Sequence, residues 1–261
     1  MTTSELLLDM PGRHDTDRLE PAAGYDLRLA TGTADVLAAQ HLRRQVLSGR
    51  RESCRTEPDV ADLEEIDDVC DHLIVRRHCG PGPAQPVASC RLLPPHSNDA
   101  MPRGTGLEAD RDYGLMPLEA LLDSTVEVGM ACVRTDERNG VAISMLCNGI
   151  ARYLHLTGYR YLLASVPFDP ADGASHAASF WDLGLNRWLA PARLRCRPRN
   201  PVAIGGLDRA AVPQIPPLLK HLVRRGGRIC GPPATCETFG TPAFLVLLDS
   251  WSADFTHGGA R

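Results

Sequence analysis

The sequence predicts a layered α/β (α+β) fold, and three observations lead to this prediction. The chain has 261 residues, of which 43% are apolar and 23% are charged, a composition typical of a globular domain with a sizeable core. Segments that alternate between apolar and polar residues, as strands do, are separated by segments with helical periodicity. Their order is strand, helix, strands, helix, strand, helix and strand, which is typical of layered folds that combine a sheet with helices.

Local signals define the predicted elements. Thr33 or Asp35 can cap the first helix, and Gly158 can end the second. Gly129 interrupts a strand, which predicts a bulge or the close approach of a ligand. In chain order, we predict a strand at 25–30, a helix through Val46, strands at 72–76, 87–93 and 125–133, a helix over 141–154, a strand at 159–166, an amphipathic helix at 217–225 and a buried strand at 243–249. Residues 49–66 and the stretch from Pro94 to about Leu115 are predicted to be irregular.

One domain is predicted at 24–250, between a flexible N-terminal tail at 1–23 and a C-terminal tail at 251–261. Within it, residues 167–212 are predicted to be an irregular insertion. This insertion carries a strand-like basic stripe at alternate positions, and we use the term for four residues: Arg193, Arg195, Arg197 and Arg199.

Charge and cysteine usage argue against several classes of protein. The net charge of −4 does not favour nucleic-acid binding, although Lys220 is the only lysine and almost every cation is an arginine. The nine cysteines are scattered without a C-x-x-C pair, so we expect neither a disulfide framework nor a metal site. No apolar run is long enough to span a membrane, and the first residues lack the basic region of a signal peptide. These features predict a cytoplasmic protein with free thiols.

Three segments are candidates for chemistry. Glu127 lies between two valines in a strand, where burial would raise its pKa and suit it to act as a general base; a structural ion pair with an arginine is the alternative. The glycine-containing turn at 137–142 opens a helix and can face an anion, although an ordinary turn fits equally. Carboxylates at 67, 68 and 71 with Arg91 would form a cleft for an amine, or else a solvated turn with a surface ion pair. Cys132 is predicted to be a core residue rather than a nucleophile.

The order of these segments resembles that of one enzyme family. The motifs are Leu42-Arg43 with Val46, Glu65–Leu73, Cys90–Pro94, Glu127–Val133, Arg138-Asn-Gly140, Gly149–Tyr153, Gly158–Tyr161, Pro217-Leu-Leu, Gly227–Gly231 and the last strand. They resemble, from about residue 25 to 250, the acyl-carrier-protein-dependent branch of the GNAT acyltransferases. Within it the chain is similar to ornithine-acyl-carrier-protein N-acyltransferases and, more remotely, to acyl-homoserine lactone synthases.

The resemblance implies a mixed central sheet with helices on both faces, in which two splayed strands hold the pantetheine arm of an acyl donor. It implies direct attack of an amine on the thioester, with Glu127 as the base and a strand N–H near Met130 and Ala131 stabilising the oxyanion. It implies three sets of site residues: a catalytic set of Glu127, Met130 and Ala131; a donor-binding set of Val133, Arg138, Asn139, Gly140, Ala142 and Ser165; and an acceptor cleft of Arg43, Asp67, Asp71 and Arg91. It implies no metal and no resident cofactor, since the acyl-carrier-protein or acyl-CoA thioester is a co-substrate.

The implied function is transfer of a fatty, or 3-hydroxy fatty, acyl group from acyl carrier protein to ornithine or a similar amine. Three departures from the family pattern leave the acceptor open: Met130 replaces an arginine, Glu137 opens the phosphate turn, and Cys236 and Pro242 replace aspartates. The alternatives are acylation of a lysine or ornithine side chain in a peptide, acylation of a polyamine, and a non-catalytic domain that binds the carrier. The implied partners are the acidic carrier, which the basic stripe would dock, the amine, no nucleic acid, and the inner face of a membrane through the lipid product.

Overall fold

The computed structural model describes residues 24–51, 66–78, 82–95, 106–169, 171 and 173–252. The predicted tail at 1–23 and most of the one at 251–261 therefore lie outside the described residues. In chain order, the elements are β1 (Tyr25–Leu29), α1 (Thr33–Arg51), β2 (Asp71–Arg77), β3 (Gln85–Leu93), β4 (Tyr113–Gly114), β5 (Thr125–Val133), α2 (Val141–Thr157), β6 (Tyr161–Pro167), α3 (Gly173–Gly184), β7 (Arg197–Pro198), α4 (Pro217–Arg224), β8 (Arg228–Ile229), β9 (Ala234–Thr235) and β10 (Pro242–Asp249).

A mixed sheet forms the centre of the molecule, as the resemblance implies. Its strands follow the order β1-β2-β3-β5-β6-β10-β8, with β9 also paired to β10. The β5–β6 pair is parallel and the other pairs are antiparallel. A parallel pair needs a crossover connection, and α2 is that connection.

The two faces of the sheet have different coverings. On one face, which we call the helix face, Val126 and Val128 pack in a core with side chains of α2, α3 and α4. On the other, which we call the cleft face, Leu163 and Leu245 pack with residues that precede β5, and α1 lies over β2, β3 and β5. Because successive side chains of a strand point to opposite faces, Glu127 points to the cleft face.

Helix α2 ends where the sequence predicts. Gly158 adopts a φ of 77°, and its N–H donates to the carbonyl of Leu154 at 3.0 Å. A left-handed C-terminal glycine of this kind satisfies a carbonyl that the helix itself leaves without a partner.

The prediction of an irregular insertion at 167–212 is wrong in part, because the segment contains α3. Its buried face is made of small residues and Phe180, including Gly173, Ala177 and Ala178. Small residues carry a weak amphipathic signal, which is why the period is hard to detect in the sequence. The strand-like piece at 193–199 is also corrected: a 3₁₀ turn occupies Ala192–Leu194, and only Arg197–Pro198 pairs, with β4. The predicted irregular stretch at 49–66 is shortened, since α1 continues to Arg51.

Candidate active site

The sheet opens in the middle of β5, beyond Val128. Strands β5 and β6 pair from Thr125 with Tyr161 to Val128 with Ala164, and no further. Beyond this point β6 stays paired with β10 as far as Pro167, whereas β5 bends away along β3. The two strands therefore diverge, as the resemblance implies.

A bulge in β5 produces this bend. In β3, one residue lies between Ser89 and Arg91. Opposite it in β5, two residues lie between Gly129 and Cys132. An extra residue in one strand bends it and increases its twist. The predicted interruption at Gly129 is thus confirmed, but the residue in the left-handed region is Met130, with a φ of 50°.

A cavity of about 510 Å³ occupies the opening between β5 and β6. It passes through the sheet, because its walls include residues of both faces. They are Val128, Met130 and Ala131 of β5, Ser165 of β6, Ile143 of α2, Leu218 of α4 and Phe239. The cavity is within the size range of small-molecule sites. Its largely apolar lining suits an acyl chain.

Glu127 is buried next to this opening, with 3% of its surface exposed. Both carboxylate oxygens accept backbone hydrogen bonds: the N–H of Glu108 donates to Oε2 at 2.7 Å and the N–H of Ala109 to Oε1 at 2.8 Å. Burial, followed by the negative charge of Glu108, raises the pKa of Glu127 to about 8. The two N–H groups and Arg91 oppose that rise. A carboxyl group with such a pKa can gain and lose a proton near neutral pH, as a general base must.

A buried chain of alternating charges lies beside Glu127 on the cleft face. Arg43 of α1 pairs with Asp67, Arg91 Nη1 pairs with Asp67 Oδ1 at 3.2 Å, and Arg91 Nη2 pairs with Glu108. Arg91 is 1% exposed. Burial acts to lower the pKa of Arg91, but Glu108 and Asp67 raise it above its usual value, so the guanidinium stays charged. The four groups form one network, and a solvated turn with a surface ion pair does not describe them.

His72 completes this network as a neutral group. Burial lowers the pKa of its imidazole. Its Nε2 lies 3.0 Å from the carbonyl of Asp67, so Nε2 carries the proton and Nδ1 faces Arg43 at 3.5 Å. Gln40 donates a further bond of 3.0 Å to Asp67 Oδ2. These contacts hold the α1 side chains over β2 and β3.

Asp71 does not belong to the cleft, which corrects the sequence prediction. It pairs in register with Leu92, a residue of the helix-face core, and its carboxylate accepts a 2.6 Å hydrogen bond from Tyr153 of α2. Asp71 and His72 are consecutive in β2, so only His72 can point to the cleft face.

The turn before α2 forms one end of the cavity wall. Val133, Arg138 and Gly140 line it, and Gly140 adopts a φ of 91°. The first N–H groups of a helix that follows such a glycine can face an anion, as the sequence predicts for the phosphate of a donor.

Two predicted donor-binding residues have other contacts. The Asn139 side chain accepts a 3.0 Å bond from the N–H of Val141, so it caps the turn. The side chain of Ala142 is buried in the helix-face core.

Glu137, a departure from the family pattern, also turns inward: it accepts hydrogen bonds from Tyr25 and from Arg77 at 2.5 Å each. The Arg77 guanidinium neutralises a carboxylate that would otherwise repel phosphate.

Sequence reasoning missed two acidic residues of the site, Glu108 and Asp112. Both lie in the stretch from Pro94 to Leu115 that was predicted to be irregular, where Glu108–Arg111 form a 3₁₀ turn. Asp112 accepts a 2.9 Å bond from the N–H of Glu237, and its Oδ2 lies 3.4 Å from Ser165 Oγ. No periodicity marks such residues, because their roles come from where the loop folds back onto β5 and β6.

Known proteins resemble the chain over most of its length. Residues 42–148 match the family model described as an acetyltransferase (GNAT) domain. The chain is 30% identical over 244 residues to an L-ornithine N(alpha)-acyltransferase from Rhodobacter capsulatus, which covers 89% of this chain and 93% of that protein. It is 26% identical over 237 residues to a protein of the same name from Brucella abortus, which covers 85% of this chain and 83% of the relative.

A solved structure shares the fold. FeeM, an N-acyl amino acid synthase from uncultured soil microbes, aligns with a TM-score of 0.52 at 12% sequence identity, over 88% of this chain and 92% of that one. The mixed sheet with diverging strands, the family match and the relatives define the protein as an acyltransferase of the GNAT class. Within this class, the chain belongs to the family of the L-ornithine N(alpha)-acyltransferases.

Proposed function

We propose that the protein transfers a fatty acyl group from a thioester of acyl carrier protein to the α-amine of ornithine. The observation that carries the proposal is the position of the buried Glu127 directly before Val128, which lines the apolar cavity at the divergence of β5 and β6. The similarity to relatives named L-ornithine N(alpha)-acyltransferase over most of the chain supports ornithine as the acceptor.

The donor would enter from the turn that precedes α2. Its phosphate would contact the N–H groups that follow Gly140 and the side chain of Arg138, which is exposed and lines the cavity. Its pantetheine arm would follow β5, and its acyl chain would fill the cavity. Acyl carrier protein and coenzyme A carry the same arm, so this part of the site accepts either one. No resident cofactor takes part, because the thioester supplies the activated acyl group.

The reaction is a direct acyl transfer. The amine nitrogen bonds to the thioester carbonyl carbon, and the carbonyl oxygen becomes an oxyanion near the backbone N–H groups of Met130 and Ala131. The proton lost by the amine passes through a water molecule to the Glu127 carboxylate. The carbon–sulfur bond then breaks, and the leaving thiolate takes up a proton to become the free thiol of the carrier.

The product would be an ornithine with one amide-linked fatty chain, which partitions into a lipid surface. The described part of the chain contains no helix that is long and apolar enough to cross a membrane. We propose that the protein works in the cytoplasm and meets the inner face of the membrane only when it releases its product.

The test is an assay with purified protein, acyl carrier protein charged with a fatty acid, and ornithine. We expect thiol release that depends on ornithine and a product with the mass of the monoacylated amino acid. Ornithine-independent thiol release, or acylation of polyamines and lysine peptides in preference to ornithine, would refute the proposed acceptor. Binding of the carrier without thiol release would support the non-catalytic alternative.

A further inference from the structure

Asp112 is a buried carboxylate next to Ser165, a residue that lines the cavity. It is 5% exposed, and it follows the 3₁₀ turn that supplies the N–H groups to Glu127. Its Oδ1 accepts the 2.9 Å bond from the N–H of Glu237, and its Oδ2 lies 3.4 Å from the hydroxyl of Ser165. The thiol of Cys236 also contacts the carboxylate.

No cation neutralises this carboxylate within the described residues, which distinguishes it from its neighbours. Asp67 faces two arginines and Glu108 faces one, whereas the hydrogen-bond partners of the Asp112 carboxylate among the described residues are a backbone N–H, a hydroxyl and a thiol. The carboxylate of Glu237 adds further negative potential. Burying a charge without a partner of opposite sign is costly, and Asp112 therefore provides a favourable environment for a cation that enters from the cavity.

The position of Ser165 defines where the Asp112 carboxylate lies relative to the reaction centre. It lines the cavity, and it is the first residue of β6 beyond the last pair with β5. Glu127 pairs in register with Leu163, and Ser165 lies two residues after Leu163 in the same strand. The side chains of Glu127 and Ser165 therefore both point to the cleft face. Two residues along a strand correspond to about 7 Å, which is the separation of Leu163 and Ser165 along β6. A short alkyl chain that carries an amine at each end spans a distance of this order.

We propose that Asp112, together with Ser165, binds the distal ammonium group of the acceptor while its α-amine lies near Glu127. The site would then select amino acids that carry a second amine over those that do not. This inference rests on the proposed function, since it assigns a residue to one end of ornithine. The family pattern has aspartates at the positions of Cys236 and Pro242. In this chain Asp112 would provide the carboxylate that those two positions lack.

The test compares ornithine with norvaline, which has the same carbon chain but no distal amine. Wild type should prefer ornithine, and Asp112→Asn should lower kcat/KM for ornithine by about tenfold or more, through KM, while leaving that for norvaline unchanged. Ser165→Ala should shift the preference in the same direction by a smaller factor. Asp123→Asn, on an exposed residue before β5, is the matched control and should leave both unchanged.

A binding measurement that does not depend on turnover completes the test. Ornithine should raise the thermal midpoint of wild type but not that of Asp112→Asn, and the ligand-free variant should be at least as stable as wild type because it lacks the unpaired charge. Equal losses with ornithine and norvaline, or no preference in wild type, would overturn the inference. If no amine is acylated, the proposed function fails, and the thermal shift with ornithine still decides the role of Asp112.

Discussion

Glu108 donates its backbone N–H to the Glu127 carboxylate and pairs its own carboxylate with Arg91. The hydrogen bond to Glu127 Oε2 measures 2.7 Å. Two carboxylates can therefore lie side by side, because one accepts N–H groups and the other a guanidinium. The arrangement keeps Glu127 in place and influences its pKa.

Replacement of the base should stop turnover. Glu127→Gln keeps the size of the side chain but cannot accept the amine proton, so we expect kcat to fall by about 100-fold or more. Donor binding, measured by titration with acyl carrier protein, should be retained. Turnover close to that of wild type at neutral pH would remove Glu127 from the mechanism.

The same variant should alter the dependence of stability on pH. A folded-state pKa of about 8 means that ionising Glu127 costs folding free energy, so its contribution is full below its ordinary value of 4.5 and is lost as pH rises towards 8. Denaturation series across this range should show a smaller decline for Glu127→Gln than for wild type. Parallel curves would contradict a raised pKa.

Activity should rise with pH, because only the ionised form of Glu127 can accept a proton. We expect kcat/KM to increase through an apparent pKa near 8. Glu108→Gln removes the neighbouring negative charge and should move this limb to lower pH. Glu119→Gln, on an exposed residue, serves as the control and should leave the profile unchanged. A limb that stays in place in Glu108→Gln would show that Glu108 does not influence the base.

A methyl group at Gly129 should disturb the charge network without changing any charge. A Cβ there would lie 2.9 Å from Glu108 Oε2 and 3.5 Å from Arg91 Nε. We expect Gly129→Ala to displace the Glu108 carboxylate and to lower kcat/KM by about tenfold or more, since small misplacements in a site are costly. Gly205→Ala, where a Cβ meets nothing within 4 Å, is the matched control. Equal activity of the two variants would contradict the tight approach at Gly129.

The buried guanidinium should be required for stability. Among the described residues, Arg91→Met leaves Asp67 with one arginine and Glu108 with none, and removal of one member of a buried ion-pair network costs about 3–5 kcal/mol. Urea denaturation of wild type and variant measures this difference. A loss below about 1 kcal/mol would show that Glu108 reaches water in the folded state.

The turn that contains Arg138 and the basic stripe should differ in which acyl donor they help to bind. Arg138→Glu should weaken use of both acyl-CoA and acyl carrier protein, because it acts on the phosphate that they share. Arg193→Glu with Arg197→Glu, on exposed positions of the basic stripe, should weaken only the carrier, and more at low salt than at high salt. Lys220→Glu, on an exposed position of α4, should leave both donors unaffected. A stripe variant that uses the carrier as well as wild type does would rule out docking there.

Much of the architecture could be predicted from the sequence, because its signals are local. Short apolar runs bounded by turn residues predict β2, β3, β5 and β10, helical periodicity predicts α2, and Gly158 predicts where α2 ends. The burial of Glu127 follows from its apolar neighbours in a strand, and a bulge follows from Gly129.

The site itself depends on contacts between distant segments, and only the tertiary structure decided these. Strand register turns Asp71 to the helix face and Arg91 to the cleft face, although the sequence analysis assigns both to one predicted cleft. The 3₁₀ turn brings Glu108 and Asp112 to β5 and β6 from a loop without periodicity. Short-range periodicity determines which segments form strands and helices, whereas the partners of a buried charge depend on how those segments pack, and no local pattern in the sequence encodes that packing.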